Sequence, residues 1–119
     1  MHKQAPQAVP QVSLAFNDIQ AIHHMLKAYL GYVGHTAPSP ARRRQVQTLR
    51  DLGRRLTFLL SSEPGSAAAV TIDDIEVMCE ALRGFATLVR RMVAKSLERD
   101  ETLSAVEALR QHLEMQFLA

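Results

Sequence analysis

Ile72-Asp73-Asp74-Ile75-Glu76 and its fainter copy Phe16-Asn17-Asp18-Ile19-Gln20 are the two stretches on which the fold turns. Each places an apolar residue before a short polar step, then opens a run of apolar residues at helical spacing. Read this way, Asn17 and Asp73 are N-caps whose side-chain oxygens accept hydrogen bonds from the first-turn amides. Gln20 and Glu76, three residues later, reach back to the cap's own amide, while Phe16 and Ile72 pack on Ala21 and Val77 as a staple. Asp18 and Asp74 add negative charge where the helix dipole favours it. The acidic trio Asp73, Asp74 and Glu76 is therefore read as a helix start rather than a cation or catalytic site, because periodicity and staple agree independently.

Working outward, Ile19, Ile22, Leu26, Tyr29, Leu30 and Val33 recur at the 3.6-residue period and predict a first helix from Asp18 to Gly34. Ser39-Pro40 opens a second, with Ser as cap and Pro at the first helical position, where its missing amide does no harm. Its inner face is Val46, Leu49, Leu52, Leu56, Leu59 and Leu60. A third helix runs from Asp74 to about Ala94 with Ile75, Met78, Leu82, Phe85, Ala86 and Val89 inward. Ser96 caps a fourth, whose face is Leu103, Val106, Leu109, Leu113 and Phe117. Val12-Ser13-Leu14 and Ala69-Val70-Thr71 precede the two starts; they could pair as a short ribbon, but simple extended lead-ins are expected.

The second half repeats the layout of the first. Asp18, Ile19, Leu26 and Val33 fall on Asp74, Ile75, Leu82 and Val89 at one constant offset. One inserted residue near Met92 then brings Ser39, Arg42, Leu52 and Leu56 onto Ser96, Arg99, Leu109 and Leu113. Neither hairpin alone can bury so wide a stripe, whereas two facing hairpins can. The expected fold is all-α: an antiparallel four-helix bundle built from two related helical hairpins by internal duplication. The expected organisation is one domain with a flexible tail (1–12), a first hairpin (13–60), a linker (61–68) and a second hairpin (69–119). The hairpins could pack within one chain or interlock between two.

Composition narrows the function classes. In 119 residues, 47% are hydrophobic and 22% charged, ordinary values for a globular protein that buries one modest core. Aromatics are 5% with no Trp, which supplies a base-stacking or sugar-stacking platform poorly. A single cysteine, Cys79, forbids an internal disulfide. No apolar run approaches the roughly 18 residues of a membrane span, and Met1 to Pro10 lack a signal-peptide core. A cytoplasmic protein is expected, with no membrane partner.

The net charge of +2 hides a segmental pattern. Arg43, Arg44, Arg50, Arg54 and Arg55 form a candidate basic surface opposite the leucine face of the second helix. Such a strip can meet phosphates or an acidic protein. His23-His24 invites a metal reading, but adjacent helical residues point about 100° apart. Pairing His23 with Cys79 gives two ligands where a zinc site needs three or four. Glu98, Asp100 and Glu101 open the fourth helix, where the dipole favours acids. No catalytic, cofactor-binding or metal residue is assigned. The expected function is a non-enzymatic helical interaction module, self-associating or docking a protein partner, with Tyr32 and Leu88 as the candidate apolar contact. The alternative is nucleic-acid binding through the arginine face.

Overall fold

The computed structural model describes residues 11–35, 38–61 and 67–117. Among these, the chain order is β1 (Gln11–Leu14), α1 (Phe16–Val33), α2 (Pro40–Leu60), β2 (Ala68–Thr71), α3 (Ile72–Met92) and α4 (Leu97–Glu114), with a closing 3-10 turn at Met115–Phe117. The protein is mostly helical, and no helix among the described residues is long and apolar enough to cross a membrane. Residues 1–10 of the expected tail and 62–66 of the expected linker lie outside the described residues.

The two lead-ins do pair, contrary to the expectation that they would remain separate. β1 and β2 form an antiparallel ribbon with Gln11 opposite Thr71, Val12 opposite Val70, Ser13 opposite Ala69 and Leu14 opposite Ala68. The ribbon takes in Gln11 and Val12 from the expected tail and Ala68 from the expected linker. Alternation explains why it holds. Val12, Leu14, Ala68 and Val70 share the inner face, with Leu14 and Val70 buried, while Gln11, Ser13 and Ala69 face outward and are exposed.

Pairing also moves the helix starts. The caps are Ala15 and Thr71, not Asn17 and Asp73. Thr71 is the last extended residue, and its hydroxyl oxygen accepts from the Asp74 amide at 3.0 Å. Ala15 has no side chain to offer, so its carbonyl takes the amides of Asp18 and Ile19 at 3.0 and 3.1 Å. The two serine caps fall where the sequence places them: Ser39 and Ser96 each accept from the amide three residues on, Arg42 and Arg99, at 3.0 Å.

Inward leucines build the interior. Leu26, Leu49, Leu52, Leu56, Leu82 and Leu113 are fully buried, and Leu109 is half-buried. One contiguous hydrophobic cluster joins all four helices and both strands. α1 packs on α2 and α3, and α3 packs in turn on α4 and α2. α1 and α3 are thus the inner pair. They begin beside each other at the ribbon and meet again where the Tyr29 ring lies against Gly84, so closely that a methyl group there would overlap the ring carbons.

Candidate interaction surface

Three polar clusters link the helices to one another. At the ribbon end, Arg55 Nη2 near the close of α2 donates to Asp74 Oδ1 at the start of α3, at 2.5 Å, and Asp74 is buried. His112 Nε2 near the close of α4 lies 3.7 Å from Asp18 Oδ2 at the start of α1. Along the α3–α4 seam, Glu114 accepts from Arg83 at 2.9 Å and from Arg110 at 2.5 Å, and Arg110 also bonds Glu107. These hydrogen bonds from Arg110 hold the exposed Glu107 carboxyl below its ordinary range. They also raise the Arg110 guanidinium.

This geometry divides the candidate basic surface. Arg54 pairs with Asp51 at 3.0 Å and Arg55 with Asp74, so both are engaged. Arg43, Arg44 and Arg50 are exposed and make no ion pair among the described residues. The free part of the strip thus runs only from Arg43 to Arg50, about 10 Å of helix at 1.5 Å per residue. α2 is also the one helix of the four with no acidic residue in its first turn, so its positive end is uncompensated.

Tyr32 and Leu88 come together. They line one shallow groove of about 210 Å³ with Tyr29, Gly84, Arg42 and Arg91. Tyr32 is 37% exposed and Leu88 half-buried. One helical turn beyond Leu88, Met92 is 69% exposed. Val93 and Leu97, at either end of the α3–α4 connection, are exposed too. A second groove of about 300 Å³ adjoins the first, sharing Val33 and Arg42 and adding Arg43, Val46 and Arg50. Arg42, Arg43, Arg50 and Arg91 therefore line the two grooves beside Tyr32, Leu88 and Val46, and no carboxylate among the described residues lines either groove.

The histidine and cysteine candidates go elsewhere. His23 Nε2 is 3.0 Å from Thr57 Oγ1 on α2. Burial, then the nearby charges of Lys27 and His24, lower its pKa. Cys79 is buried as a free thiol. Burial and the Glu114 carboxylate push its pKa up against the weaker pull of Arg83 and Arg110, so the reactive thiolate is disfavoured. His23 bonds to α2, and no hydrogen bond joins it to Cys79 among the described residues. Among the described residues no group of three or more His, Cys, Asp or Glu side chains is placed to hold a metal ion.

One concavity was not anticipated from sequence. Phe58 and Leu59 of α2 face Ala69 and Val70 of β2 across about 400 Å³, rimmed by the Arg55–Asp74 pair. Its only sequence signal is the alternation in Ala69-Val70-Thr71, too short to locate a partner. Comparison with protein-family models, curated proteins and solved structures found no match for this chain.

Proposed function

We propose that this protein is a non-enzymatic interaction module that receives another protein surface, or a second copy of itself, on the face centred on Tyr32 and Leu88. The observation that carries the reading is the joining of these two residues in one groove, with Met92 exposed one helical turn beyond Leu88 and Val93 and Leu97 exposed at either end of the connection that follows. Connections between helices are ordinarily polar, and large apolar side chains gathered at a corner mark a contact surface. A cytoplasmic setting belongs to the same proposal, supported by the one free, buried cysteine.

The proposed scaffold is a four-helix bundle made of two copies of a strand and helical hairpin. Four features support it. Ser13 pairs with Ala69 at the same offset that relates Asp18 to Asp74, as expected where equivalent strands meet on a twofold axis. Ser39 and Ser96 cap their helices alike. Arg55–Asp74 and His112–Asp18 occupy corresponding positions and cross between halves in opposite directions. Tyr32 and Leu88, matched under the repeat, sit in one groove.

A photo-crosslinker at Met92, installed in the full chain in its native cell, tests the reading. Met92 should yield a discrete protein adduct, while the same group at exposed Asp73 on the ribbon end should not. No adduct at Met92, or equal diffuse labelling at both positions, overturns it. The nucleic-acid alternative is weakened by the engagement of Arg54 and Arg55. A two-stranded ribbon can enter a major groove, but here its outward Gln11, Ser13 and Ala69 are uncharged and exposed Asp73 adjoins them. A nucleic-acid adduct at Met92 would favour the alternative.

A further inference from the structure

We infer that the occupant of the Tyr32–Leu88 face is an acidic segment of a protein partner, carrying carboxylates beside an aliphatic or aromatic anchor. The inference rests on the proposed interaction function and adds the chemistry of the partner. The two adjoining grooves form one surface through their shared Val33 and Arg42. Tyr32, Leu88 and Val46 give it an apolar part that can take one or two side chains. Its rim holds the guanidinium groups of Arg42, Arg43, Arg50 and Arg91. Guanidinium groups bind carboxylates through paired, planar hydrogen bonds, and more strongly beside a surface that excludes water.

Elsewhere four arginines are matched from within, Arg54 by Asp51, Arg55 by Asp74, Arg83 by Glu114 and Arg110 by Glu107 and Glu114, while Arg44, Arg90 and Arg99 make no ion pair among the described residues but line neither groove. Around these grooves the only such partner of a rim arginine among the described residues is neutral, the Gln45 Oε1 that accepts from Arg42 at 2.8 Å. The missing counter-charge is the feature a partner would supply. An acidic segment fits better than a nucleic acid, because unengaged arginines cover only about 10 Å along α2 and the surface between them is concave and partly apolar rather than an extended basic track. It also fits better than a second copy docked face to face, which would oppose arginine to arginine.

The test is selection of binders from a random 12-residue peptide library displayed on phage, using the full chain as target. Counter-selection uses Tyr32→Ser/Leu88→Ser, two partly exposed sites, with helicity and thermal midpoint checked first. Binders specific to the wild-type face should be enriched in Asp and Glu flanking Leu, Phe or Trp. Their affinity should fall with added salt and drop roughly tenfold or more against Arg43→Glu/Arg50→Glu. Face-specific peptides that are neutral or basic, or whose affinity survives the arginine reversal, would sink the acidic assignment while leaving the interaction face in place. A selection yielding no peptide that distinguishes the wild type from the Tyr32/Leu88 variant overturns both. Binding at these residues by a single-stranded oligonucleotide, with no acidic-peptide enrichment, assigns the face to nucleic acid instead.

Discussion

Thr57 has one hydroxyl proton, and it goes to the Gly53 carbonyl at 2.9 Å. Its oxygen therefore accepts from His23 Nε2, which fixes the neutral tautomer with the proton on that nitrogen. Burial and the positive neighbours Lys27 and His24 lower the His23 pKa, so the unfolded chain takes up this proton at a higher pH than the folded one. Between the two values the unfolded state holds more protons, and stability falls as pH drops through that window. His23→Gln keeps an amide donor for Thr57 and removes the titration. Urea midpoints should show the wild type losing stability relative to His23→Gln as pH falls below about 6.5, the ordinary histidine value. Above neutrality the difference should be constant. Parallel curves down to about pH 5 would refute the assignment. Little of this was legible in the sequence, where His23-His24 invited a metal reading only for helical spacing to argue against it: the hydrogen-bond partner lies thirty-four positions away on another helix.

Helices α2 and α4 were legible to the residue at their starts, because Ser39 and Ser96 each supply a local, self-contained cap. α1 and α3 are capped two residues before their expected caps, α3 for a non-local reason. Thr71-Ile72-Asp73-Asp74 and Asp73-Asp74-Ile75-Glu76 both carry the signature of a start, a capping side chain three residues before an acid. Pairing of Thr71 with Gln11 ends the extended segment there and selects the first. Inner faces were readable since periodicity needs no knowledge of the partner. The contact that sets the spacing of α1 and α3 was not. Tyr29 occupies the space a side chain at residue 84 would need, and Gln45 Nε2 donates to its hydroxyl at 3.2 Å. Gly84→Ala gains about 1 kcal/mol in helix propensity yet overpacks a contact whose disturbance costs roughly 1–3 kcal/mol. A lower thermal midpoint is expected, restored at least partly in Gly84→Ala/Tyr29→Ala. A midpoint raised by Gly84→Ala alone would show that the ring swings clear without penalty.

Across the molecule, Leu26 of α1 and Leu82 of α3 belong to the same buried cluster, so the two halves have no separate interiors. Leu26→Ala and Leu82→Ala should each cost about 2–5 kcal/mol and shift one shared calorimetric transition. Two resolved transitions, each sensitive to one substitution, would mean that the halves are independent units. At this scale the sequence conveyed the helical class, the number of helices and the segregation of charge. It did not convey which arginines are neutralised from within, since that depends on helix ends meeting across the fold, as Arg55 meets Asp74.

The ribbon joins Gln11–Leu14 to a strand that is synthesised, and emerges, only after both α1 and α2. At roughly 5–20 residues per second, translation leaves β1 waiting several seconds for β2. Throughout that interval the nascent first half displays an open strand edge and a stripe of leucines to whatever is nearby. On a crowded message, the nearest complementary surface is the same half emerging from the next ribosome. Rapid, closely spaced translation should therefore yield entangled chains, and slowing elongation should yield more of the fold in which each ribbon closes within one chain.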